Sequence, residues 1–189
     1  CFGVLTKLFN VARFASQFDV PSDLDKVPED LPVEDRWILS EFANTMERVE
    51  SAWSALDIYT ATQALKTFGT GILPSHWLEM SKSRLYDGDT NAAWTIHRVV
   101  RDLMSALSPV CPFFTHHISS TLYDVSAVDI REFPRRTPDD PDLRDLTSTI
   151  EDFNGNTWRT KKDAGLPLNA QISGIDIPNA VSYTHLRAH

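Results

Sequence analysis

The stretch "EMSKSRLY", Glu79 to Tyr86, holds the residues that most invite a chemical reading. Met80-Ser81-Lys82-Ser83 sets an ammonium between two hydroxyls, a grouping that handles phosphate when a mobile loop carries it. Near the start, Lys7, Asn10, Arg13 and Phe14 fall three and four residues apart, so a helix brings them to one side. Arg131, Arg135, Arg136, Arg159, Lys161 and Lys162 are the densest basic residues. His116 and His117 are adjacent, and neighbouring side chains on a helix diverge by about 100°, which speaks against a shared metal. Cys1 and Cys111 form no CxxC pair and no ligand spacing with the six histidines, so no metal site and no disulfide framework is signalled. In "SPVCPFF", Cys111 reads as a small buried thiol rather than a nucleophile. No paired catalytic residues stand at a recognisable spacing, and no catalytic residue is assigned.

The elements that must carry these residues are helical. "FGVLTKLFNVARFASQF" is amphipathic at helical spacing, and "DVPSDLDKVPEDLP" is an irregular acidic connector. Leu39, Phe42, Met46, Val49, Trp53 and Leu56 repeat every three to four residues, the seam of a bundle helix, with Asp35 or its acidic neighbours as cap. Asp57 can cap a third helix with Ile58, Ala61, Leu65, Phe68 and Ile72 on its face. "GTGILP" predicts a kink or restart there, because Pro74 lacks a backbone donor and clashes with the preceding turn. A helix then resumes with Trp77, Leu78, Met80 and Leu85 as its apolar stripe. That places Lys82 on a helix edge, within reach of Glu79, not on a loop.

After the turn "DGDT", Ala93, Ile96, Val100, Leu103 and Leu107 line a fourth helix, with Arg98, Arg101 and Asp102 away from that face. A short fifth helix presents Phe114, Ile118 and Leu122. A sixth buries Leu146, Ile150, Phe153 and Trp158 and ends at Gly165. Trp37, Trp53, Trp77, Trp94 and Trp158 are read as core. Strands are expected near Ala127 to Phe133 and in "QISGIDIP". The fold class is mainly α: an antiparallel helical bundle followed by the start of a small α/β unit. The entry helix covers 1–17, the bundle 18–125 and the C-terminal unit 126–180.

The 189 residues are 42% hydrophobic and 23% charged, an ordinary globular composition. The net charge of -8 is not the usual footprint of a nucleic-acid binder, although local patches rather than the sum decide binding. No apolar run reaches the ~20 residues that span a membrane, and no secretory signal opens the chain, so a cytoplasmic location is expected. The chain opens inside an amphipathic pattern with no Met, which reads as part of something longer. Residues 181–189, "VSYTHLRAH", continue no pattern and are read as non-native.

"LTKLFNVARFAS", "EDRWILSEF", "WLEMSKSRLYDGD", "SPVCPFFTHHISSTLY" and "FNGNTWRTKKDAGLPLNAQISGIDIP" together resemble the anticodon-binding region of class I aminoacyl-tRNA synthetases for branched aliphatic amino acids. "KLFNVARF" and "WRTKKDAGLPLNA" are most similar to the valyl enzymes of the archaeal kind, with the isoleucyl and leucyl enzymes as the alternative. The resemblance implies a tRNA partner of the valine isoacceptors, a monomer, and a full-length enzyme that uses ATP and magnesium. The His-Ile-Gly-His motif and the Lys-Met-Ser-Lys-Ser loop of such an enzyme are not in this chain. Glu79 stands where the loop has its first lysine and would repel phosphate, so Lys82 is a surface residue of a recognition bundle.

In that setting Asn10 suits base-edge recognition, Arg13 phosphate contact or stacking, and Phe14 stacking on a base. Arg135, Arg136, Lys161 and Lys162 would collect phosphate along the tRNA stem. The plainer alternatives are a core Phe14, an ion-paired Arg13, and a solvated basic face balanced by Asp139, Asp140 and Asp142. A stand-alone helical protein-interaction module competes with the tRNA reading. An independent enzyme competes less well, lacking the residues for it.

Overall fold

The computed structural model describes residues 2–124, 133 and 138–167. The helices are α1 (Phe2–Ala15), α2 (Val33–Ser54), α3 (Ile58–Thr67), α4 (Leu78–Tyr86), α5 (Thr90–Leu107), α6 (Pro112–Tyr123), α7 (Pro141–Arg144) and α8 (Leu146–Asp163). Among the described residues there is no strand, so the mainly α fold is borne out. Both expected strands lie wholly or almost wholly outside the described residues, as do Arg131, Arg135, Arg136 and the tail. The chain divides into two compact units, 1–150 and 151–189.

The first unit closes around one apolar core. Leu8, Val11, Ala12 and Ala15 of α1 meet Trp37, Ile38, Leu39, Phe42, Met46 and Val49 of α2, and Ile96, Val100, Leu103 and Leu107 of α5. The helical repeat of these residues is what lets three helices share one interior. Leu56 leaves the expected seam and is 85% exposed, because it takes φ +58 and terminates α2. Its reversal is tied by the Asp57 N–H to the Ala52 carbonyl at 2.8 Å. Asp57 caps α3 as expected, accepting from the Thr60 N–H. Ile58 is exposed in that first turn, while Ala61, Leu65 and Phe68 are buried.

At "GTGILP" the helix does not restart but runs on without a break. From Phe68 to Trp77 the backbone widens into a π-helix between α3 and α4. The Leu78 N–H bonds the Leu73 carbonyl, five residues back. Widening relieves the clash that Pro74 would make with the carbonyl four residues before it in an α-helix. Gly69 lies where a Cβ would come within 2.8 Å of Leu8 Cδ2 and 2.9 Å of Leu103 Cδ2, so the π-segment packs by its bare backbone.

Further expectations are corrected. Asp35 does not cap α2: the helix starts at Val33 after Pro32, which leaves Asp35 within the first turn and fully buried. Arg98 and Asp102 lie off the apolar face of α5 as read, but they are buried there, because the acidic connector lies over that side. Arg98 donates to Asp102 at 2.6 Å and to the Leu24 carbonyl at 2.9 Å, and Trp94 Nε1 donates to the Asp23 carbonyl at 3.2 Å. Met80 is 39% exposed, one residue before the buried line of α4, which runs through Leu78, Ser81 and Leu85. On α8, Leu146, Phe153 and Trp158 are exposed and Ile150 is half-buried. Thr147 takes the inward place on the first turn: it accepts from Trp37 Nε1 at 3.0 Å and donates to Glu41 at 2.8 Å. Phe153 and Trp158 belong to the second unit, and so short a segment covers less of its apolar surface than a larger domain would. Trp53 is half-buried. Gly165, at φ +65, ends α8 as read.

Candidate nucleic-acid interface

Lys7, Asn10 and Arg13 are exposed along one side of α1, opposite the buried Leu8, Val11, Ala12 and Ala15. None of the three makes a side-chain hydrogen bond or ion pair among the described residues. Arg13 contrasts with Arg36, Arg84, Arg98, Arg101 and Arg144, each of which is held by a carboxylate. On an acidic surface, a guanidinium left without an anion is available to bring one in.

Phe14 is half-buried and joins a trio that sequence reasoning missed. Its ring meets Phe18 edge-on at 5.2 Å and Tyr86 at 6.2 Å, and Phe18 meets Tyr86 at 5.7 Å. Such edge-to-face arrangements suit the quadrupoles of aromatic rings. Beside the trio, a cleft of about 560 Å³ is lined by residues that include Gln17, Phe18, Leu85, Gly88, Asn91 and Trp94. Phe18 follows the end of α1 and Tyr86 ends α4, far apart in sequence. The one local signal was an aromatic residue immediately before the turn "DGDT".

Arg84 holds the Tyr86 end of α4. Its Nη1 and Nη2 donate to the two carboxylate oxygens of Asp35 at 3.1 and 2.8 Å, and its Nε donates to Asp89 at 2.7 Å. Trp77 Nε1 donates to Asp35 at 3.0 Å as well. Burial pushes the Asp35 carboxyl up from its ordinary range, while Arg84 and Trp77 pull it back. Asp89 in turn caps α5 through the Asn91 and Ala92 N–H groups. One guanidinium thus ties α2, α4 and the start of α5 together.

Lys82 sits on α4 with its Nζ 2.6 Å from Glu79, an exposed pair on a helix and not a phosphate loop. In the second unit Lys161 and Lys162 occupy the last turn of α8, where cations offset the carbonyl end of the helix dipole. Lys162 lines an open groove with Trp158, Arg159, Gly165, Leu166 and Pro167. Cys111 is half-buried at the start of α6, and burial pushes its thiol up.

On α1 an exposed amide and an exposed cation thus stand beside a half-buried ring. The chain belongs to the family of anticodon-binding domains of tRNA ligases, whose model matches residues 35–175. Its relatives include the valine--tRNA ligase of Saccharolobus solfataricus, 31% identical over 173 residues, covering 90% of this chain and 20% of the relative. The valine--tRNA ligases of Aeropyrum pernix and Methanothrix thermoacetophila are 30% and 31% identical, covering 91% and 90% of this chain and 22% and 19% of the relatives. The chain spans about a fifth of the length of these curated relatives.

Proposed function

We propose that this chain is the tRNA-reading part of a valine--tRNA ligase, which joins valine to its tRNA with ATP and magnesium. The chain contributes recognition, and the chemistry belongs to parts of the enzyme outside it. Arg13 carries the reading: it lacks a carboxylate partner among the described residues, beside an equally open Asn10 on the exposed side of α1. RNA loops are read through unstacked bases laid on rings or guanidinium planes and hydrogen-bonded at their edges. Asn10 meets a base edge, Arg13 a phosphate or base face, and Phe14 shapes the apolar side of the contact. Arg135, Arg136, Lys161 and Lys162 collect phosphate along the stem. The full enzyme works as a cytoplasmic monomer on valine isoacceptors.

The test is a titration of the chain with a valine-tRNA transcript at several salt concentrations. Binding should weaken steeply as salt rises. Arg13→Ala should weaken it roughly tenfold and reduce the logarithmic salt slope by about 0.7, one phosphate contact on a single strand. Asn10→Ala should weaken binding without changing the slope. A chain that binds no tRNA even at low salt would sink the reading.

A further inference from the structure

We propose that Tyr86 is the stacking surface for an unpaired base of the RNA loop that meets Arg13 and Asn10. This rests on the tRNA-binding reading above and adds a residue to it. Tyr86 is 65% exposed, yet two rings support it edge-on. Its hydroxyl has no hydrogen-bond partner among the described residues. Phe113, more exposed at 91%, has no ring partner among the described residues, so exposure alone does not single out Tyr86.

Preorganisation does. A ring already held in place loses little freedom when a base settles on it. Arg84, two residues back, is locked to Asp35 and Asp89. The backbone beyond Tyr86 is tied by Asp87 N–H to the Ser83 carbonyl and Asp89 N–H to the Arg84 carbonyl, at 2.9 and 3.0 Å. Arg84 is therefore a positioning residue, acting through the helix end that presents Tyr86. Phe14 connects the ring to the open helix side: it follows Arg13 directly and lies one turn beyond Asn10. A cation, an amide and a supported ring in one neighbourhood match single-stranded nucleic acid, where backbone charge and base stacking are met together. An apolar peptide would leave Arg13 without a partner.

The probe is an RNA hairpin with the anticodon arm of a valine tRNA, its loop bases replaced one at a time by the fluorescent base 2-aminopurine. With the full chain, one position should be quenched on binding. Tyr86→Ala should abolish that quench and weaken binding roughly five- to hundredfold, the range found when a stacking aromatic is removed. Tyr86→Phe should preserve both. Tyr86→Leu keeps an apolar contact for Phe14 and Phe18, and it too should lose the quench, which keeps the assignment testable if alanine loosens the fold. Salt-dependent binding with no quench at any position, or a quench that survives Tyr86→Leu, overturns the Tyr86 assignment and leaves the tRNA reading standing. No binding of the hairpin by the unaltered chain overturns both.

Discussion

A buried carboxylate is tolerated when its charge is met, and Asp35 is met twice, by the Arg84 fork and by the Trp77 indole. Asp35→Asn sets an amide against Arg84 and Trp77 in a fully buried place, while Glu34 and Asp89 still hold the guanidinium. The expected cost is about 1–3 kcal/mol, the scale for a buried polar group left short of a partner, read by chemical denaturation. Adding Arg84→Met to Asp35→Asn should cost less than the two single changes summed, since the groups act as a pair. Lys82→Ala is the contrasting case. Its bond to Glu79 joins two exposed side chains, so the melting temperature should stay within a degree or two and tRNA affinity should hold. A large loss of tRNA affinity on Lys82→Ala would restore the phosphate reading of the tetrapeptide.

At the scale of elements, the α2–α3 corner carries the clearest strain. Leu56 adopts a left-handed conformation that costs an L-residue with a Cβ roughly 1–2 kcal/mol, and at 85% exposure its side chain contributes little in return. Leu56→Gly should raise stability by about 1 kcal/mol, visible as a higher denaturation midpoint with unchanged slope. The π-segment predicts the opposite sign. Gly69 gives its missing side chain to Leu8 and Leu103, so Gly69→Val should destabilise by about 1–3 kcal/mol through overpacking. An unchanged midpoint would mean that those leucines move aside freely.

For the whole first unit, His97 is the joint between distant parts. Its Nε2 lies 3.1 Å from the Phe18 carbonyl, which can only accept, so that nitrogen carries the proton. Its Nδ1 lies 3.2 Å from the Tyr123 hydroxyl of α6. Burial holds the His97 pKa below its ordinary 6.5. The unfolded chain therefore binds a proton that the folded chain refuses. Stability is full above about pH 6.5 and falls as pH drops toward the folded value, by at most about 1.4 kcal/mol per pH unit. Asp57 and Asp89, whose carboxyls are held below the usual range, add their own loss of stability only below about pH 4. His97→Gln retains an amide N–H for the Phe18 carbonyl and should flatten the decline below about pH 6.5. An equally steep decline in the variant would assign it to other groups.

The helices, the cap at Asp57, the turn at "DGDT" and the end of α8 at Gly165 were legible in the sequence, because local spacing and backbone preference determine them. So was the open stripe of Asn10 and Arg13, since helical spacing alone puts both on one side of α1. What local pattern could not decide was which polar residues are covered. Asp35, Arg98 and Asp102 look like surface residues until the connector and the Arg84 fork close over them. The π-helix answered a proline that had suggested a break, and only packing against Leu8 and Leu103 shows why the backbone stays continuous there. The aromatic trio is likewise a tertiary decision. Phe18 and Tyr86 belong to separate elements, and only the core that α1, α4 and α5 share brings the helix ends close enough for the rings to meet.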